Sequence, residues 1–326
     1  MNRLSGMSEK RAKAHPKTAS APCFDRLLFL FILALSCFGT IMVFSASTAY
    51  AAIRFDDAYY FIKRQSVWLM LGVGVMLLFS HISAERLKRW IFPLYGAVIL
   101  LLLLVPFLGA EAGGAKRWIA IGPLSFQPSE LAKTVLILLL SYYFTCSRFS
   151  KKAREKGNTG ILYGILVPLA LFLSFAVPVI LEKHLSCIII LGTITVCMIF
   201  LTGGNGKFLS AMCLGGGGAV TAFALAVEYT RRRITIWLNP ELYPKDGGWQ
   251  TLQGLMAIGS GGFFGLGLGK SRLKHLYVSE PQNDFIFTIA CEELGFLGAA
   301  AILTLFTLFT LRGVRVAMRN SDPFSS

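Results

Sequence analysis

Charge is scarce in this chain. Only 15% of its 326 residues are Asp, Glu, Lys or Arg, against 55% hydrophobic, and the mean hydropathy is +0.62. That balance excludes a soluble domain of this length. Also missing is the apolar–polar alternation that marks the strands of an outer-membrane barrel. No internal repeat or low-complexity tract is evident. The four histidines, His15, His81, His184 and His275, include no pair at metal-ligand spacing, and the seven cysteines include no Cys-x-x-Cys pair. No metal-binding cluster is therefore visible, and Cys37, Cys187, Cys197 and Cys213 read as small buried hydrophobes in apolar segments. Acidic residues are outnumbered, 17 to 32, for a net charge of +15. The basic residues fall in short clusters between apolar runs instead of along one soluble face, so no nucleic-acid partner is indicated.

What is present is a series of long apolar runs near the ~20 residues that a bilayer core demands. They fall at 27–47, 65–81, 90–109, 129–147, 160–181, 185–202, 208–229 and 284–311, which predicts an all-α polytopic membrane bundle of about eight helices. The first run exceeds the usual apolar core of a signal peptide and further spans follow it, so it reads as an uncleaved helix. With the amino end in the cytoplasm, Arg86, Lys88 and Arg89, then Arg148, Lys151, Lys152, Arg154 and Lys156, and finally Arg312, Arg315 and Arg319 all lie inside. Both termini are then cytoplasmic: residues 1–26 form a basic tail able to touch anionic lipid, 27–313 the membrane domain and 314–326 the carboxyl-terminal end. Loops at 48–64, 110–128 and 230–283 face outward. The last is long but rich in aromatics and glycine, and is expected to pack as half-helices and turns.

Carboxylates inside such runs call for a reason, because an ionised group in hydrocarbon is costly. Asp284 stands at the entrance of the eighth span and is the candidate general base, with an N-cap as the alternative reading. On a helix at about 100° per residue, Glu292 lies within a quarter turn of Asp284 and about 12 Å deeper, in a structural or pKa-tuning role, whereas Glu293 points nearly opposite. Glu130 and Lys133, one turn apart, read as an intrahelical pair. Arg231, Arg232 and Arg233, at the outer end of the seventh span, suit an anionic group through bidentate bonds, or else anchor lipid head groups. Lys116 and Arg117 form a second outward basic pair, and two such groups facing one cavity would suit a pyrophosphate. The stretch Gly259 to Ser271 ends like a phosphate-binding loop but has Phe264 where that motif needs Gly, so its glycines are read as allowing tight turns and close backbone approach. Gly215 to Gly218 are read as a site of close helix packing.

Taken together, these segments resemble the SEDS family (shape, elongation, division and sporulation; FtsW, RodA and SpoVE types). The resemblance runs through Phe44-Ser45-Ala46-Ser47, Gly114 to Ile119, Gln127 to Glu130 with Lys133, Arg231 to Arg233, Asn239-Pro240, Gln250, Gly259 to Gly269, Asp284 to Phe287 and Glu292 to Gly295. It implies a peptidoglycan glycosyltransferase that polymerises lipid II at the outer face of the bacterial plasma membrane in division or sporulation. A class B penicillin-binding protein and other division or sporulation proteins would be its partners, and a divalent cation, Mg or Mn, a possible aid. By the same resemblance Asp284 is catalytic and Trp118 belongs to the outer cavity, joined as substrate-binding residues by Lys116, Arg117, Arg231 to Arg233, Gln250 and Lys270, with Glu130, Lys133 and Glu292 in support. Two departures are expected to matter. The family's Gln-Pro-Asp-Leu-Gly is here Glu182-Lys183-His184-Leu185-Ser186. The family's ten helices are here about eight, so a fragment or a shortened form is expected. A lipid II flippase and an inactive scaffold of the division complex are the alternative functions.

Overall fold

The computed structural model describes residues 24–112, 115–121, 124–146, 152, 158–182, 184–203, 206–244, 248–274, 281–320 and 322–325. The basic amino-terminal tail, apart from its last three residues, and Arg148, Lys151, Arg154, Lys156 and His275 lie outside them. Each of the eight apolar runs becomes a helix. These are α1 (Arg26–Phe55), α2 (Tyr60–Ser80), α3 (Ala84–Leu108), α4 (Pro128–Thr145), α5 (Val167–Leu181), α6 (Leu185–Leu201), α7 (Gly206–Ala226) and α10 (Ile286–Arg319). A π-helical stretch, Leu162–Leu166, leads into α5. Arg26–Phe55, Tyr60–Ser80, Ala84–Leu108, Leu162–Leu181 and Ile286–Arg319 are long and apolar enough to cross a membrane, and Leu185–Leu201 is apolar but shorter. In the long loop two more helices appear, α8 (Glu228–Leu238) and α9 (Trp249–Ser260), joined in part by the 3-10 turn Pro240–Leu242.

Two expectations need correction, and one outward loop proves to be regular. The loop at 110–128 is not irregular: it folds into a small antiparallel sheet of β1 (Ala110–Ala112), β2 (Ala115–Ile121) and β3 (Leu124–Phe126), in the order β1-β2-β3, with Ile119 opposite Phe126. Among the described residues nothing packs closely on Gly215 to Gly218, since an added Cβ at any of them would meet nothing within 4 Å. And although Cys187 is buried, Cys37, Cys197 and Cys213 lie on the outside of their helices, where an apolar solvent welcomes a thiol as readily as a core does.

Packing divides the helices into two groups. The larger core joins α3, α4, α5 and α6 through fully buried Leu102, Leu136, Phe175 and Leu191. The smaller joins α1 to α10 through Met42, Ala46, Ile289 and Ala290. These two helices run antiparallel, because Asp25 at the start of α1 pairs with Arg312 near the end of α10 at 2.6 Å, while Ser45, well along α1, meets Glu293 early in α10. Asp25 is also the N-cap of α1, accepting from the Leu28 N–H at 2.8 Å. By contrast α2 buries no residue, and its apolar side chains face outward as lipid solvent permits.

The glycine-rich segment after α9 folds back onto α10, as its composition suggested. Helix α10 is broken at Gly295, whose φ of 66° and ψ of −166° belong to a region open essentially to glycine alone. A break leaves helical N–H and C=O groups without partners, which hydrocarbon does not tolerate. The loop supplies them: Leu266 N–H donates to Glu292 O at 3.0 Å and Gly267 N–H to Glu293 O at 2.9 Å, while Phe296 N–H donates to Gly262 O at 2.9 Å. The backbones approach so closely that a Cβ on Gly265 would stand 2.2 Å from Glu293 O, and one on Gly295 would stand 2.3 Å from Gly265 N. Gly295→Ala is expected to destabilise the protein by about 1–3 kcal/mol from backbone strain alone. Thermal unfolding in detergent checks this, and an unchanged midpoint would contradict it.

Candidate active site

Asp284 lies in a turn, because Pro281 and the residues after it do not enter the helix until Ile286. Its side chain is exposed and makes no hydrogen bond or ion pair among the described residues. The helix begins with Phe285 at the N-cap and no side-chain cap, so Asp284 is not the capping residue. It follows that the 100° relation between Asp284 and Glu292 does not hold, since that relation requires both residues to be helical.

Glu292 and Glu293 instead form one buried group, each 1% exposed. Adjacent residues of a helix point well apart, yet both find partners because the glycine-rich loop and α1 wrap the helix from two sides. Glu293 accepts from Ser45 Oγ, which lies 2.7 and 2.6 Å from its two oxygens, from Ser271 N–H at 3.2 Å and from Lys274 Nζ at 3.4 Å. Glu292 accepts from Arg272 N–H at 3.0 Å and from Ser271 Oγ. Lys274 Nζ also donates to Gly269 O at 2.5 Å. Ser45 and Lys274 border a cavity of about 580 Å³ whose wall is otherwise mostly apolar, with Phe44 and Thr48 on α1 and Leu268 on the loop. Ser271 and Lys274 carry no signal in sequence, since a loop Ser and Lys are ordinary. Ser45 stands out only as a hydroxyl in an apolar span.

A second cluster gathers around the hairpin. Lys116 and Arg117 do not act as one pair, because successive side chains of a strand point to opposite faces. Lys116 Nζ reaches Pro106 O at 3.5 Å, whereas Arg117 Nε donates to Glu182 O at 3.3 Å. The turn between α5 and α6 thus sits against β2. On its other side His184 Nδ1 lies 3.1 Å from Gln127 Nε2 and 3.4 Å from Ser129 Oγ at the start of α4. One turn further, Lys133 and Glu130 pair at 2.6 Å, as their spacing predicted. Glu182 is 2% exposed, and neither of its oxygens has a hydrogen-bond partner among the described residues. Burial pushes its pKa up to about 7, against the opposing pull of Arg117. Burial and Arg117 together hold His184 below the ordinary histidine range. Sequence reasoning named Glu182 and His184 only as a departure from the family's motif; what it missed is the burial of Glu182 and the contact of His184 with the start of α4.

The other candidates are dispersed. Arg231, Arg232 and Arg233 are not at the end of the seventh span, because the chain breaks at Val227 (φ −88°, ψ 112°) and places all three, exposed, on the separate helix α8. Gln250 is half-buried in the first turn of α9, Trp118 is 40% exposed on β2, and Lys270 is exposed in the glycine-rich loop. Among the described residues no three His, Cys, Asp or Glu side chains converge as metal ligands.

The model of the FtsW/RodA/SpoVE cell cycle proteins matches residues 25–326. The chain belongs to this family. Among FtsW/RodA/SpoVE relatives, the probable peptidoglycan glycosyltransferase FtsW of Geobacter sulfurreducens is 37% identical over 305 residues, covering 92% of this chain and 79% of that one. Stage V sporulation protein E of Bacillus subtilis is 34% identical, covering 93% and 81%. Of solved structures, a chain from a peptidoglycan synthase complex that coordinates polymerization and crosslinking is 25% identical, with a TM-score of 0.71 over 93% of this chain and 81% of that one. The rod shape determining protein RodA of Thermus thermophilus is 27% identical, with a TM-score of 0.62 over 93% and 80%. As a member of the FtsW/RodA/SpoVE family with several long apolar helices, the protein is a multi-pass plasma-membrane protein.

The two acid–base pairs differ in setting, and their removal should differ in cost. Lys274→Ala leaves a buried carboxylate short of its cation and is expected to cost about 3–5 kcal/mol. Lys133→Ala removes the partner of Glu130, whose side chain is 58% exposed, and is expected to cost about 0.2–1 kcal/mol. Melting curves of the two variants in detergent decide it: equal shifts would mean that the buried network is not what holds the loop.

Proposed function

We propose that the protein is a peptidoglycan glycosyltransferase that polymerises lipid II, with Asp284 as its general base. The observation that carries this reading is the exposed, unpaired state of Asp284 among the described residues, at the mouth of an apolar helix whose two deeper carboxylates are both engaged. A general base must bring an oxygen within reach of the substrate's proton, and Asp284 is exposed while Glu292 and Glu293 are buried with their oxygens engaged. The names of the FtsW relatives support the reaction class. Asp284 takes the proton from the 4-hydroxyl of the acceptor sugar. That oxygen forms a bond to the anomeric carbon of the donor, the bond from that carbon to the pyrophosphate oxygen breaks, and the centre inverts as undecaprenyl pyrophosphate leaves. Arg117 stabilises the charge that grows on the leaving pyrophosphate, with Arg231 to Arg233 on α8 and Trp118, Gln250 and Lys270 as further substrate-binding residues; Lys116, on the opposite face of β2, does not join it. Glu292 supports from beneath, and Glu130 with Lys133 fixes the start of α4 beside the hairpin. No step is routed through a metal.

Both ends of the membrane domain at 27–313 lie in the cytoplasm in this reading, with the hairpin and the 230–283 segment outside. Arg86, Lys88 and Arg89 between α2 and α3, and Arg312, Arg315 and Arg319 at the end of α10, support that orientation. A class B penicillin-binding protein is the partner, a reading supported by the likeness of this chain to one chain of a peptidoglycan synthase complex. Purified Asp284→Asn is expected to fold as the native protein does, since no bond is lost, and to polymerise labelled lipid II about 100-fold to 10,000-fold more slowly in the presence of the partner. Polymerisation by the variant at the native rate would remove Asp284 from the mechanism.

A further inference from the structure

We propose that α8 is an interfacial helix, with its apolar face sunk into the outer leaflet and Arg231 and Arg233 at the level of the phospholipid phosphates. The inference deepens the reading of these arginines as substrate-binding residues, and it rests on that reading and on the orientation given with it for which leaflet is meant. Helix α8 has 11 residues and is about 17 Å long at about 1.5 Å per residue, little more than half the ~30 Å of a bilayer core, so it cannot span. Yet its large apolar side chains are not covered by the protein. Ile234 is 40% exposed, Trp237 72% and Leu238 61%, and Leu242 in the 3-10 turn that follows is 73% exposed.

The arrangement around the helix axis carries the argument. At about 100° per residue Ile234, Trp237 and Leu238 share an arc of about 100°, and the buried Ile236, which faces the protein, lies nearly opposite its middle. Arg231 borders the arc beside Leu238 and Arg233 borders it beside Trp237, and both are exposed. An apolar stripe with arginines along both edges is the pattern of a helix that lies in the plane of the interface. The stripe enters the boundary between head groups and acyl chains, a tryptophan settles there, and long basic side chains reach up to phosphate oxygens.

Lipid is the occupant that the surroundings select. The chain enters α8 directly from α7, an apolar run whose own Leu214 and Leu225 are exposed, with only Val227 between the two helices. Helix α8 therefore starts at the edge of the bilayer. Three consecutive arginines against one acid, Glu228, give it a positive charge that complements phosphate. The diphosphate of a lipid-linked substrate lies at the same depth as the phospholipid phosphates, so a helix held in this way presents guanidiniums where such a substrate carries its charge.

The test uses the full chain reconstituted in phosphatidylcholine vesicles and reads Trp237 as the difference in fluorescence between native protein and Trp237→Phe. Lipid brominated near the top of its acyl chains is expected to quench that difference signal at least about twofold, and more than lipid brominated near the methyl ends, while iodide in the water quenches it little. Adding phosphatidylglycerol is expected to deepen the shallow quenching in native protein but not in Arg231→Gln combined with Arg233→Gln. Ile234→Asp combined with Leu238→Asp is expected to lift the helix, shift the Trp237 emission to the red and open it to iodide. Quenching by iodide alone would put the face in water, and shielding from both quenchers would put protein over it. Either result overturns the proposal, as does a response to phosphatidylglycerol that the arginine variant shares. Shallow quenching without polymerisation of lipid II would defeat the polymerase reading and leave the interfacial helix standing.

Discussion

Hydrocarbon offers a backbone no hydrogen bonds, and the break in α10 at Gly295 is where this structure meets that constraint most sharply. Once the helix is interrupted, the carbonyls of Glu292 and Glu293 and the N–H groups beyond the break need partners from elsewhere. The glycine-rich segment supplies them by lying backbone to backbone on the helix, an approach that side chains at Gly265 and Gly295 would forbid. Everything near the candidate site is arranged around that contact. The loop brings Ser271 and Lys274 to the buried carboxylates, those carboxylates draw in Ser45, and Ser45 ties α1 to α10.

The result is a division of labour among acids that are close in sequence. Glu292 and Glu293 are dry, saturated with donors and committed to holding the loop. Asp284 is exposed and outside the helix. In the proposed reaction the exposed acid accepts the proton while the buried ones hold the fold, and burial with hydrogen bonding is what separates the two settings. Glu182 is a third case, buried like the first two but without donors to its carboxyl among the described residues, and burial raises its pKa.

Membership of the FtsW/RodA/SpoVE family fits this architecture of several long apolar helices. The charged candidates fall on short, distinct pieces of chain: the hairpin for Arg117, α8 for Arg231 to Arg233, and the turn before α10 for Asp284. Short elements on a rigid bundle can be adjusted without disturbing the spans that carry them.

From the sequence alone came the class, the eight helical runs, the Glu130–Lys133 pair and the cost that marks Glu292 and Glu293. Each of these depends on interactions that are local in the chain: run length against bilayer thickness, a spacing of one helical turn, or the cost of a lone carboxylate in an apolar stretch. What only the tertiary structure decided depends on contacts between distant residues. Helical spacing assigned Glu293 away from the site, yet Ser45, 248 positions earlier, binds it. Strand alternation sent Lys116 and Arg117 to opposite faces of a hairpin that hydropathy left as a loop, and Arg117 then met Glu182, 65 positions away. A one-dimensional pattern records where a polar group is costly, but which donor or charge offsets that cost is set by how the helices pack.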